Sequence, residues 1–107
     1  MKPYTKTYLI FFKYSYDDRG VTDFAPCEIC ETSRVADVHH IEARQAGGSK
    51  DPEKDKIENL MGLCRKCHTD YGDITDYKPL LKKIHSIRMN GVKHRAAVGA
   101  YVPLSKS

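Results

Sequence analysis

Tryptophan is absent from this chain, and so is any long run of apolar residues. The longest apolar run near the start, residues 8–12, stops at Lys13 and is shorter than the hydrophobic region of a secretory signal. A membrane span needs about 20 consecutive apolar residues. These absences argue against a membrane protein and predict a cytoplasmic protein without a signal peptide, in which thiols stay reduced.

Acidic residues are absent from both ends of the chain. Residues 1–16 and 77–107 contain three and seven basic residues with no acid, whereas residues 17–76 contain 8 basic and 14 acidic residues. Basic flanks around an acidic centre suit a polyanion held near bound cations, which favours nucleic acid. An ordinary solvated surface with a disordered basic tail would give the same pattern.

The chain has 107 residues, a length that predicts one domain, residues 1–107. Its four cysteines form two Cys-x-x-Cys pairs, Cys27/Cys30 and Cys64/Cys67. Two disulfides would need an oxidising compartment, and a thioredoxin-like motif would explain only one pair. The paired spacing favours a structural zinc site, which in zinc-finger peptides contributes about 10–16 kcal/mol.

Local patterns predict the secondary structure. Alternating aromatic residues predict a strand over 4–16. Its aromatic side chains are expected mainly in the core, with stacking on bases as the alternative. Residues 17–20 predict a turn. Residues 35–41 predict a short strand, and 57–63 a second strand or short turn opened by Asn59. A helix is expected from about 65–68 toward Tyr71, and an amphipathic helix from Lys78 to a stop at Asn90-Gly91, followed by a basic tail to residue 107.

The order of motifs resembles the HNH endonuclease family over about residues 24–72. The motifs are Cys27-x-x-Cys30, Asp37-Val38-His39-His40-Ile41, Gly47-Gly48, Asn59-Leu60 and Leu63-Cys64-Arg65-Lys66-Cys67-His68. The resemblance implies a small α+β fold with a ββα-metal core, in which two strands and a helix grip one divalent ion and a four-cysteine zinc supports them. The residues outside the motif predict an N-terminal aromatic strand (4–16) and a C-terminal basic helix and tail (78–107).

The resemblance also implies roles for single residues. By position, His40 is the general base, Asn59 positions the loop and the base, and His39 and His68 are ligands of the catalytic ion. The four zinc ligands implied are Cys27, Cys30, Cys64 and Cys67. Some relatives add a histidine one turn after His68, where this chain has Gly72, so a three-histidine site is not implied.

The residue chemistry agrees with these roles. Histidine loses its proton near neutral pH and can accept one from water. Strict strand alternation sends His39 and His40 to opposite faces, so both can serve one phosphate only where the strand ends or bends. Asp37 lies on the face of His39 and is a candidate to hold that imidazole, or else a solvated acid at the strand edge. His85 and His94 lie outside the motif, and surface or DNA-facing positions are expected for them rather than metal ligation.

The leading hypothesis is a metal-dependent DNA endonuclease. We expect structural Zn²⁺ and one catalytic ion, Mg²⁺ or Mn²⁺, with Ni²⁺ or Zn²⁺ as alternatives. The expected partner is double-stranded DNA rather than a membrane; a homodimer and a larger nucleic-acid-processing complex both stay open. The alternatives are a non-catalytic zinc-dependent DNA-binding module and an RNA nuclease of the same fold. Candidate DNA contacts on the C-terminal segment are Lys82, Lys83, Arg88, Lys93 and Arg95.

Overall fold

A computed structural model describes residues 1–43 and 52–97, without the side chains of residues 52, 53 and 95–97. Gly47-Gly48 and the predicted tail from residue 98 onward lie outside the described residues, as does the side chain of Arg95. In chain order the helices and strands are α1 (Pro3–Phe12), β1 (Tyr16–Asp17), β2 (Gly20–Val21), β3 (Asp37–His40), β4 (Leu60–Leu63), α2 (Arg65–Cys67) and α3 (Lys78–Ala97). A π-helical turn, His68–Gly72, follows α2, and 3-10 turns span Pro52–Asp55, Ile57–Asn59 and Thr75–Tyr77.

The N-terminal segment is a helix, so the predicted strand over 4–16 is wrong. Pro3 lies in the first turn of α1, where its missing N–H costs nothing. Positions 4, 8 and 12 share one face of a strand, but their spacing of four places them on one face of a helix as well. Ile10 distinguishes the two cases: the strand pattern predicts it to lie beside Tyr8, yet it is 63% exposed while Tyr8 is 1% exposed.

The predicted turn at 17–20 is confirmed as the turn of a hairpin. Tyr16 pairs with Val21 and Asp17 with Gly20 in antiparallel register. The Asp17 carboxylate accepts a hydrogen bond from the Arg19 amide at 2.8 Å, which is how aspartate stabilises a turn.

The strands β3 and β4 confirm the two predicted strands of the motif and form an antiparallel pair. His39 lies opposite Met61 and His40 opposite Leu60, so these two pairs occupy opposite faces of the sheet. β4 is buried on both faces. Its position between two packed layers explains why its four residues show no polar alternation.

Each face of this sheet has its own core. On the face of His40, Leu60 packs with Tyr8 and Leu9 of α1. On the face of His39, Met61 and Leu63 pack with three of the cysteines and with Leu81 of α3; the cysteines are Cys27, Cys64 and Cys67. The described residues therefore form a small α+β fold, which confirms the predicted fold class. None of their helices has the length and apolarity to span a bilayer.

Helix α3 confirms the predicted amphipathic helix but runs past its predicted end. It continues through Asn90-Gly91 to Ala97. An interior glycine costs a helix only about 1 kcal/mol, so Gly91 need not end it. His94 is exposed as expected, but His85 is 1% exposed, so its predicted surface position is wrong.

Candidate active site

The four cysteines come together as predicted. Their sulfur atoms all lie within 4.8 Å of one another. The Cys30 and Cys64 sulfurs are 3.9 Å apart, close to the separation of about 3.8 Å that a tetrahedral zinc with Zn–S bonds of ~2.3 Å requires. The first pair lies in a reversal where the Glu31 amide bonds the Cys27 carbonyl at 3.0 Å, and the second lies at the start of α2.

The pKa values of Cys30 and Cys67 are shifted in opposite directions. A hydrogen bond from the Thr32 hydroxyl to the Cys30 sulfur, helped by backbone amides, lowers the pKa of Cys30 to about 5. Burial, followed by the neighbouring sulfurs, raises the pKa of Cys67. Four adjacent thiolates repel one another unless a divalent cation neutralises them. The cysteine cluster therefore fits and could hold a zinc ion.

A second candidate metal site combines His39 of β3 with His68 and Asp73. Their ligand atoms lie within 4.8 Å of one another. His39 Nδ1 is 3.1 Å from His68 Nε2, and Asp73 Oδ1 is 3.5 Å from the same nitrogen. The sequence did not predict Asp73, which follows His68 by five residues rather than by the three or four of an α-helical face. The π-helical turn brings the two together, since the Asp73 amide bonds the His68 carbonyl at 3.2 Å.

The surroundings of His39 suit metal binding. Burial, then the nearby His68 and His40, lower the pKa of His39, so its ring is neutral at neutral pH and able to ligate. Among the described residues, His39 Nε2 is a buried polar atom with no hydrogen-bond partner. Two imidazoles and one carboxylate make a donor set that suits Mn²⁺ or another first-row divalent ion.

Asp37 contacts His68 rather than His39. Its carboxylate lies 3.4 Å from His68 Nδ1, which leaves Nε2 to face His39 and Asp73. Arg65 Nε lies 3.6 Å from the same carboxylate. A carboxylate behind a ligating histidine orients the ring and raises its basicity. The predicted contact of Asp37 with His39 is therefore replaced by a contact with His68, on the π-helical turn.

His40 lies at the last residue of β3, on the opposite face from His39. Its Nε2 is 2.8 Å from the Asp55 carboxylate, and the Tyr4 ring packs edge-on against it with centroids 4.6 Å apart. The His40 ring is close enough to His39 for the charge of His40 to lower the pKa of His39. His39 and His40 thus lie on the two faces of β3 at its C-terminal end.

Asn59 fastens two separate segments next to His40. Its side-chain oxygen accepts the Glu42 amide at 2.7 Å, and its amide nitrogen donates to the carbonyls of Glu42 and Lys54 at 3.0 and 2.8 Å. Asn59 is only 9% exposed, and these hydrogen bonds satisfy the polar atoms of its side chain. Asn59 therefore holds the exit of β3 against the 3-10 turn at Pro52–Asp55.

The candidate DNA contacts do not form one basic face. Lys82 bonds Glu42 at 2.6 Å, where Lys82 and then Lys78 lower the pKa of that carboxyl to about 2. Arg88 donates to the Glu28 carbonyl at 3.1 Å and pairs with Glu31, so it supports the first cysteine pair. Lys83 and Lys93 are exposed on α3, and the side chain of Arg95 lies outside the described residues.

Comparison with known proteins agrees with this geometry. A family described as HNH endonuclease matches residues 27–73. A curated relative, Anaredoxin of Nostoc sp. (strain PCC 7120 / SAG 25.82 / UTEX 2576), is 41% identical over 46 residues, which are 42% of this chain and 54% of that protein. The chain thus spans about half the length of the relative it matches. No solved structure matches.

The matched segment contains both cysteine pairs, His39, His40, Asn59, His68 and Asp73, so the site described above and the family match coincide. Domains of this family have nuclease-type activity or bind nucleic acids, generally with divalent metals. Residues 27–73 of this chain thus match the HNH endonuclease family, and this match contains both candidate metal sites.

Proposed function

We propose that this chain is a metal-dependent DNA endonuclease that hydrolyses phosphodiester bonds. The observation that carries the proposal is the convergence of His39, His68 and Asp73 beside the end of β3, where His40 is the next residue. A zinc-binding module needs only the four cysteines. It has no use for a second donor set with a histidine base next to it.

In the proposed reaction His40 accepts a proton from water. The water oxygen forms the new bond to phosphorus, the P–O3′ bond breaks, and the 3′ oxygen takes a proton from solvent. Asp55 engages Nε2 of His40, which leaves Nδ1 as the nitrogen that receives the proton. An imidazole performs this step near neutral pH without a large shift of its pKa.

The residues His39, His68 and Asp73 would hold one divalent ion, with Mg²⁺ or Mn²⁺ as the proposed activators. Such an ion, when bound, neutralises charge on the phosphate and on the leaving oxygen. Asp37 orients His68 for this task. The cysteine cluster, with zinc, supports the π-helical turn that carries His68, since α2 starts directly after Cys64 and leads into that turn.

The proposed substrate is double-stranded DNA, held in part by exposed cations such as Lys83 and Lys93. Cutting both strands would require two copies of the chain, whereas one copy would nick. An RNA substrate would use the same chemistry, so the test includes one.

The test incubates purified, zinc-loaded protein with supercoiled plasmid and with a structured RNA, in Mg²⁺, in Mn²⁺, and in EDTA. We expect nicked or linear DNA with the ions and intact DNA in EDTA. His40→Ala should lower the single-turnover rate by about 10²–10⁴-fold, the usual contribution of a general base. His94→Ala, an exposed histidine of α3, is the matched control and should cleave normally.

DNA affinity and zinc content are measured on the same preparations. Wild-type protein that binds DNA but cleaves neither nucleic acid would identify a non-catalytic binding module. Cleavage of RNA alone would change the substrate but keep the chemistry. Normal cleavage by His40→Ala would remove His40 from the reaction.

A further inference from the structure

A carboxylate that the motif does not include contacts His40. His40 Nε2 and Asp55 Oδ1 are 2.8 Å apart, and the two side chains are 11% and 33% exposed. A carboxylate accepts but cannot donate, so this contact requires a proton on Nε2 of His40. In the neutral ring the free lone pair then belongs to Nδ1.

Asp55 reaches this position because Asn59 holds its neighbour in the chain. The Asn59 side chain donates to the Lys54 carbonyl at 2.8 Å, and the Asn59 backbone amide donates to the Lys56 carbonyl at 2.8 Å. Asp55 lies between these two anchored residues. The same side chain also binds both backbone groups of Glu42, two residues after His40.

An aromatic residue of α1, Tyr4, packs against the His40 ring. The Tyr4 and His40 rings meet at 72° with centroids 4.6 Å apart. A hydrogen bond on one side and a ring on another leave the imidazole few alternative rotamers. Precise placement of a base is what makes proton transfer efficient, because small displacements of reacting groups cost large factors in rate.

We propose that Asp55, which the bond from Asn59 to the Lys54 carbonyl keeps beside the end of β3, is the positioning residue for His40. Asp55 touches neither substrate nor metal in this proposal. It fixes the orientation of the ring and the tautomer with Nδ1 free. The inference deepens the proposed endonuclease function and depends on it.

The experiment compares Asp55→Ala, Asp55→Glu and the control Glu58→Ala, which removes an exposed acid three residues away. Single-turnover cleavage at saturating DNA should fall about 10- to 100-fold in Asp55→Ala, less than the loss of the base itself. Asp55→Glu keeps a carboxylate and should recover most of that loss. Glu58→Ala should stay within about twofold of wild type, as should DNA affinity in all variants.

Dependence on His40 is tested by the double variant His40→Ala/Asp55→Ala. A residue that acts only through His40 has no further effect once His40 is gone, so the double variant should cleave at the rate of His40→Ala. Additive losses would show that Asp55 acts on its own and would overturn the inference. Zinc content and melting temperature are checked for each variant, and Asp55→Ser replaces Asp55→Ala if the latter does not fold.

Ring ¹⁵N shifts of His40 give a readout independent of cleavage. Wild type should show the proton on Nε2, and Asp55→Ala should show a mixture of tautomers or the proton on Nδ1. An unchanged tautomer with unchanged cleavage in Asp55→Ala overturns the inference while the endonuclease function stands. Wild-type protein without nuclease activity overturns both.

Discussion

Replacing His85 should strongly destabilise the fold, although His85 lies outside the family motif. His85 and Glu28 form a buried pair at 2.8 Å, with side chains 1% and 4% exposed. The other ring nitrogen of His85 bonds the Ile57 carbonyl at 2.6 Å, so the ring donates from both nitrogens and is an imidazolium. Burial opposes this charge, but the hydrogen bond and charge of Glu28 outweigh it and raise the pKa of His85.

The expected magnitude follows from what His85→Leu leaves behind. Breaking a buried ion pair by removing one partner costs about 3–5 kcal/mol. Glu28 keeps two donors, the Tyr8 hydroxyl at 2.6 Å and the Gly62 amide at 3.0 Å, so we expect the lower part of that range. A loss of this size is a large fraction of the ~5–15 kcal/mol that stabilises an average domain.

The assay is urea unfolding at constant zinc, with Ser86→Leu as the control. Ser86 is the exposed neighbour of His85 on α3, and its substitution should change stability by less than about 0.5 kcal/mol. The double variant Glu28→Gln/His85→Leu leaves no uncompensated charge and should be more stable than His85→Leu by at least about 1 kcal/mol. A loss below about 1 kcal/mol in His85→Leu would refute the buried ion pair.

The pH dependence has a definite sign. The pKa of His85 is raised in the folded protein above the unfolded value of about 6.5. Its stabilisation is therefore fully present below pH of about 6.5 and is lost as the pH rises through the folded-state pKa. The stability difference between wild type and Glu28→Gln/His85→Leu should shrink above neutral pH, by at most about 1.4 kcal/mol per unit. A difference that grows with pH would mean that His85 is neutral.

The metal sites yield the remaining predictions. Gly72→Ala should weaken Mn²⁺ binding by about tenfold or more, because its Cβ would lie 2.7 Å from His68 Cδ2; unchanged affinity in an electron paramagnetic resonance titration would show that the turn adapts. Asp73→Asn should weaken Mn²⁺ binding by about 10- to 100-fold while the exposed control Asp70→Asn does not, and equal effects would point to general charge instead. Cys64→Ser should lose stoichiometric zinc in elemental analysis and its folded circular dichroism signal, since structural zinc is worth about 10–16 kcal/mol; a folded, zinc-free variant would contradict this.

Short-range sequence patterns predict the local structure correctly where only one backbone geometry satisfies them. The Cys-x-x-Cys pairs, the Asp17–Gly20 turn and the strand of His39 and His40 depend on residues close in the chain. The strand prediction for the N-terminal segment is wrong because positions 4, 8 and 12 satisfy both strand and helix periods. The packing of α1 on the face of β4 that carries Leu60 selects the helix.

The order of the amino acids alone predicts the resemblance to the HNH endonuclease family, the cysteine cluster and the candidate base, since these depend on residue identity at known spacing. Only the folded chain selects the acids that complete the site. Asp55 meets His40 across 15 residues and Glu28 meets His85 across 57. Several acids near residue 55 have the same chemistry, and a π-helical turn rather than an α-helix brings Asp73 to His68. Such partners are chosen by packing between distant segments, which local spacing does not encode.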